Sequence, residues 1–115
     1  MLIREKDMAK KLPLITPGEI LLEEFLQPLG VTQSQLAKDI RVPANRVSQI
    51  IHGKREITAD TALRLGKYFG NEPEFWMNLQ VRYNMELAQE KVGRQIDTEV
   101  KVLNPRTILT TPSSA

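Results

Sequence analysis

None of the 115 residues is a cysteine, which excludes disulfides and thiolate metal sites and fits a reducing compartment. The single histidine, His52, cannot build a typical zinc site alone; beside Gly53 it suits a capping or backbone contact. Nowhere do about 20 apolar residues run on without a break, so no membrane span is expected. The opening "MLIREKDMAKKLPLITPG" shows no apolar run followed by a cleavage signature. A secretory signal is therefore not expected, and the expected location is the cytoplasm. Catalytic patterns are missing too. No glycine-rich phosphate loop follows a strand, and Ser34 and Ser48 have no recognisable His or Lys base. Glu23 and Glu24 are neighbours in sequence and diverge on a helix. The expectation is no enzyme, no metal and no cofactor.

What the chain does have is helical patterning in a single domain's length. A core this small is limited, which leaves room for a partner chain to cover apolar surface. Residues 1–15 read as a loose basic arm. "TPGE" reads as a helix start, with Thr16 as N-cap, Pro17 in the first turn and Glu19 closing a capping box. Leu21 with Phe25 and Leu22 with Leu26 face inward, and the helix ends near Pro28 to Gly30. A second helix begins at the cap Thr32 and turns Leu36, Ala37 and Ile40 inward. "RVP" ends it, since a residue before proline is pushed from helical dihedrals. From Pro43 a third helix buries Val47, Ile50 and Ile51 and stops at Gly53. The fourth runs from the cap Thr58 to Gly70, with Ala62, Leu63, Leu65 and Phe69 as core positions and Gly66 tolerable at about 1 kcal/mol against alanine if packing is close there. The fifth and longest is expected to be capped by Asn71, with Phe75, Trp76, Leu79 and Tyr83 near one face. Beyond Gly93 the pattern fades: "VKVLN" suits a short strand and the rest of 92–115 a tail. The fold class is all-α, five helices over residues 16–91.

The second and third helices are short, below the roughly 12–15 residues at which isolated helices become marginally stable. Paired through a tight turn, they suit a helix-turn-helix, in which the first braces the second across DNA. Charge agrees. The net value is only +2, but residues 31–55 hold Lys38, Arg41, Arg46, Lys54 and Arg55 against Asp39, while the flanking helices are net acidic. The third helix leaves Ala44, Asn45, Arg46, Ser48 and Gln49 facing outward. Asn45 and Gln49 are i,i+4 neighbours, and either amide can pair with adenine N6 and N7. Arg46 suits guanine or a phosphate; Lys54 and Arg55, past the helix end, suit phosphates. A merely solvated helix can carry the same residues, and chemistry alone leaves both readings open.

The segment "LGVTQSQLAKDIRVPANRVSQIIHGKREITADTALRLGKYFG" resembles the lambda-repressor-like helix-turn-helix domain. With "TPGEILLEEFLQPLG" before it and "EPEFWMNLQVRYNMELA" after it, the chain resembles the HigA-type antitoxins and VapI-type regulators over about residues 14–90. The resemblance implies a homodimer on an inverted-repeat operator in double-stranded DNA, repressing an operon that encodes a small, basic, RNA-cleaving toxin. By motif position, it implies that Gln33 contacts phosphate from the first turn of its helix. Ala44, Asn45 and Gln49 face bases, Arg46 is their exposed neighbour, and Lys54 contacts phosphate. Ala44 is limited to a thymine methyl. Arg41 departs from the family's usual small residue in the inter-helix turn and adds a positive charge beside DNA. Phe75, Trp76, Leu79 and Tyr83 stand as dimer contacts or core. Two alternatives remain: a toxin-binding module with weak or no DNA contact, and a stand-alone regulator.

Overall fold

Three of the five helices start where a threonine hydroxyl takes up a free backbone N–H. Thr16 Oγ1 accepts from the Glu19 amide at 3.1 Å while the Glu19 carboxylate accepts from the Thr16 amide at 3.2 Å, a complete capping box. Thr32 and Thr58 accept from the amides of Gln35 and Thr61. These caps are the predicted ones. The computed structural model describes residues 14–103, so most of the predicted arm, and residues 104–115 of the tail, lie outside the described residues. The helices are α1 (residues 17–29), α2 (Gln33–Ile40), α3 (Ala44–Ile51), α4 (Ala59–Phe69) and α5 (Pro73–Glu99), with no strand among the described residues.

Within α1 the segment Leu21–Leu26 is wound as a π-helix, and the Gln27 amide reaches back to the Leu22 carbonyl. Pro28 supplies a physical reason. Its nitrogen cannot donate to residue 24 and its ring crowds that carbonyl, so a wider turn upstream lets the helix run on to Leu29.

The core gathers Leu21 and Leu26 of α1, Leu36, Ala37 and Ile40 of α2, Val47, Ile50 and Ile51 of α3, Ile57, Ala62 and Leu65, and Trp76 of α5. Each buried Leu, Ile or Val side chain is worth about 1.5–3 kcal/mol. Helices α2 and α3 have eight residues each and bury five such side chains between them; tertiary packing, rather than propensity, holds the pair. Packing is close at Gly66: a Cβ there would lie 2.8 Å from the Asn71 carbonyl oxygen.

Three expectations fail. Leu63 is 60% exposed instead of core, because it falls on the side of α4 away from Leu65 and Ala62. Asn71 does not cap α5; Glu72 holds the N-cap position without a side-chain bond, and the Asn71 amide oxygen accepts from the Trp76 indole at 3.0 Å. Helix α5 does not fade at Gly93 but continues to Glu99, and residues 100–103 form no strand. A helical glycine costs only about 1 kcal/mol against alanine. Here the Gln89 side chain covers Gly93, and Gln95 donates to Glu99 one turn on.

Candidate nucleic-acid interface

Helix α3 has one face in the core and the other in solvent. Ala44 and Asn45 are exposed, Arg46, Ser48 and Gln49 half-buried, and Val47, Ile50 and Ile51 buried. Helices α2 and α3 end in two turns of the same kind. At the end of α3 the Lys54 amide donates to the Gln49 carbonyl at 2.7 Å and the Gly53 amide to the Ile50 carbonyl at 3.0 Å. This Schellman pattern needs a left-handed residue, supplied by Gly53 at φ +72°. At the end of α2 the Val42 and Arg41 amides bond the Ala37 and Lys38 carbonyls in the same way. The left-handed residue there is Arg41, at φ +59°, a conformation that costs a non-glycine residue about 1–2 kcal/mol. Arg41 is exposed.

The Schellman turn carries the chain back over the last turn of α3. Arg55 Nε then donates to Gln49 Oε1 at 2.8 Å. Lys54 and Arg55 are both exposed beside the end of α3, and Gln33 is half-buried in the first turn of α2. Of the predicted DNA-contacting residues, the structure brings Gln49 and Arg55 into direct contact, and it leaves all of them exposed or half-buried. His52 is held as expected for a capping group: its Nδ1 lies 2.8 Å from the Ser48 carbonyl oxygen.

Arg46 is less free than its sequence position implies. Its Nη1 lies 3.7 Å from Asp60 Oδ2 on α4, and its buried Nε has no hydrogen-bond partner. Asp60 also receives Arg64 Nε, and Arg64 Nη1 donates to the Ile40 carbonyl at 2.8 Å, at the end of α2. Tyr68 donates its hydroxyl to Asp39 at 2.7 Å. Hydrogen bonds from Gln35 and Tyr68 hold the Asp39 carboxyl below its usual range, and the same contact raises the Tyr68 hydroxyl. Helix α4 therefore clamps α2 by Arg64 and Tyr68, and touches α3 through Asp60.

Asp60, Arg64 and Tyr68 were missed as site-building residues. The Asp60–Arg64 spacing of i,i+4 was a readable signal for a helix-face pair. Nothing in the sequence pairs Tyr68 with Asp39, which are 29 positions apart. Gln80 was missed as well. Buried on α5, it accepts from the Ile57 amide at 2.8 Å and donates to Asn84 at 3.0 Å, so α5 fixes the far end of the loop that carries Lys54 and Arg55.

The four α5 residues that stood as dimer contacts or core divide. Trp76 is completely buried, and Leu79 packs against the core. Phe75 is partly exposed and Tyr83 half-buried. The aromatic surplus of α5 is absorbed mainly inside the domain, where Trp76 meets Phe25, Phe75 and Phe69 at ring distances of 4.7, 5.0 and 5.8 Å. Among the described residues no three His, Asp or Glu side chains are grouped to hold a metal, and no helix is long and apolar enough to cross a membrane.

A helix-turn-helix family model matches residues 22–76. The chain is 45% identical over 80 residues to virulence-associated protein I of Dichelobacter nodosus, spanning 70% of this chain and 74% of that protein. Among solved structures, antitoxin HigA of Pseudomonas aeruginosa with the higBA promoter is 42% identical, covers 79% of this chain and 99% of that one, and superposes with a TM-score of 0.77. An addiction module antidote protein of the HigA family from Coxiella burnetii is 49% identical, covers 80% of this chain and 100% of that one, and gives a TM-score of 0.76.

Proposed function

The chain belongs to the HigA-type antitoxin family of helix-turn-helix regulators, and from that membership we propose that it represses its own operon by binding operator DNA through α3. The observation that carries this reading is the solvent face of α3 with its basic surround. Ala44, Asn45 and Gln49 are turned away from the core, and Arg41, Lys54 and Arg55 are exposed beside them. Amide side chains offer both a donor and an acceptor, as base edges require, while the flanking cations suit phosphates. The left-handed Arg41 adds support: the turn carries backbone strain that a glycine would relieve, and gains a cation at the DNA side. Gln33, in the first turn of α2, suits a phosphate at the positive end of that helix. Arg46, drawn to Asp60, is the base-reading assignment with least geometric support.

One α3 covers too few base pairs for repressor-grade discrimination, so the functional unit is a twofold homodimer on an inverted repeat. Its support is an apolar stripe on the outer part of α5. Val81, Met85, Val92 and Ile96 are all exposed, Met85 by 64%, and they recur at helical spacing. The pattern is symmetric about residues 88 and 89. In an antiparallel pair of α5 helices it sets Val81 opposite Ile96, Met85 opposite Val92 and Glu86 opposite Lys91 of the second copy, as an isologous contact requires. The finer role is neutralisation of a small basic RNA-cleaving toxin. Co-expression tests it: the adjacent reading frame should arrest growth, and this chain should relieve the arrest.

Competition binding to the DNA upstream of the operon, against scrambled duplex, tests the DNA reading. Gln49→Ala is expected to lose about 5- to 150-fold on the operator, the equivalent of about 1–3 kcal/mol, with a smaller loss on scrambled DNA. An equal loss on both duplexes removes Gln49 from base readout. Sedimentation of the same complexes tests the dimer: two chains of 13.1 kDa per operator are expected, and one chain per operator would overturn it.

A further inference from the structure

We propose that Arg55 is a positioning residue for base readout, fixing which end of the Gln49 amide faces the DNA. The inference rests on α3 being the DNA-reading helix, and it changes the role that position alone gave Arg55, that of a phosphate contact. A glutamine amide has an acceptor end and a donor end, and a free side chain can present either. Here Gln49 Oε1 accepts from Arg55 Nε at 2.8 Å. An arginine can only donate, so the flipped amide would set N–H against N–H and is disfavoured. The bond is built into the turn. The Gln49 carbonyl accepts from the Lys54 amide, so main chain and side chain of Gln49 hold two consecutive residues of the loop. Gln80 holds the loop's other end through the Ile57 amide.

The result is an oriented reader. Oε1 accepts from Arg55 with one lone pair and keeps the second for a base, and Nε2 is left to donate. Adenine fits both groups, through N6 and N7. Guanine and thymine offer acceptors to Nε2, whereas cytosine shows only its N4 donor in the major groove, which can reach Oε1 but leaves Nε2 unpaired. The base rejected most strongly opposite Gln49 is therefore cytosine. The other guanidinium N–H groups of Arg55 stay available for a phosphate, so one side chain joins a backbone contact to a base contact.

The test is a double-mutant cycle of Gln49→Ala and Arg55→Ala, with Lys54→Ala as the control for pure charge loss. Each variant is titrated against the upstream operator and against duplexes with every base pair of the half-site exchanged in turn. Lys54 and Arg55 are exposed and Gln49 is half-buried, and unchanged thermal melts verify that the variants are folded. The wild type should discriminate at the Gln49 base pair by about 5- to 150-fold. Arg55→Ala should flatten discrimination at that same pair, most of all against cytosine, and the double variant should discriminate no less than Gln49→Ala alone. Lys54→Ala should weaken all duplexes alike and leave the profile intact. If Arg55→Ala also weakens all duplexes alike and the Gln49 preference survives, the positioning role is overturned. A wild type with no preference for its upstream DNA would instead overturn the DNA-binding reading itself.

Discussion

Trp76→Ala is expected to cost about 3–5 kcal/mol, the range for removing a large aromatic side chain from a core. Trp76 has no exposed surface. Its ring touches those of Phe25 of α1 and Phe69 of α4 as well as Phe75 of its own helix, so one truncation loosens three helices. The lost indole N–H also leaves the Asn71 oxygen without its 3.0 Å donor in the turn between α4 and α5. Domains of this size have about 5–15 kcal/mol of stability in total. The variant should therefore unfold at much lower denaturant concentration, or populate the unfolded state outright. Trp76→Phe keeps most of the ring contact and should lose less. Urea unfolding followed by circular dichroism measures both, and a loss below about 1 kcal/mol for the alanine variant would show that this cluster is not the core's centre.

Gly18→Ala adds a single methyl group and should nonetheless act on both stability and DNA. A Cβ at Gly18 would overlap the Ile50 carbonyl oxygen and lie 2.8 Å from Ile51 Cα, both backbone of α3. No side chain can swing away, so α1 or the end of α3 must move. Overpacking of this kind costs about 1–3 kcal/mol and sometimes more. At about 4–8 °C per kcal/mol for a domain of this size, the melting temperature should fall by several degrees or more. The Ile50 carbonyl also accepts from Gly53 in the turn that sets Lys54 and Arg55. Operator affinity should therefore drop even at temperatures where circular dichroism reports a folded helical protein. Unchanged melting and unchanged binding would mean that α1 does not lie against α3 this closely.

Local signals made much of this fold legible. Thr16, Thr32 and Thr58 each declare a helix start by chemistry confined to one turn, and the buried positions of α2 and α3 follow from helical periodicity. Misreadings arose where a local rule met a tertiary one. Gly93 reads as a stop, yet its cost is small beside the propensity of the residues around it, and α5 continues. Leu63 reads as core by residue type, but its neighbours Ala62 and Leu65 take the inward side. Asn71 reads as a cap, but a buried indole claims its oxygen. In the candidate site, the outward amides and the cations were legible from spacing and charge. The contacts that orient them were not: Tyr68 with Asp39, Arg64 with the Ile40 carbonyl and Ile57 with Gln80 join residues 23–29 positions apart, a separation that no window of one chain reveals.

The most direct measurement is an amide chemical-shift titration of the protein with a duplex taken from upstream of its operon, and with scrambled duplex as the control. Large, saturable shifts are predicted for Gln33, for Arg41, along residues 44–49, and for Lys54 and Arg55. Scrambled DNA should move mainly the phosphate-contacting subset and saturate only at higher concentration. Shifts confined to α5, or an operator titration indistinguishable from the scrambled one, would contradict the assignment of α3 as the helix that reads DNA.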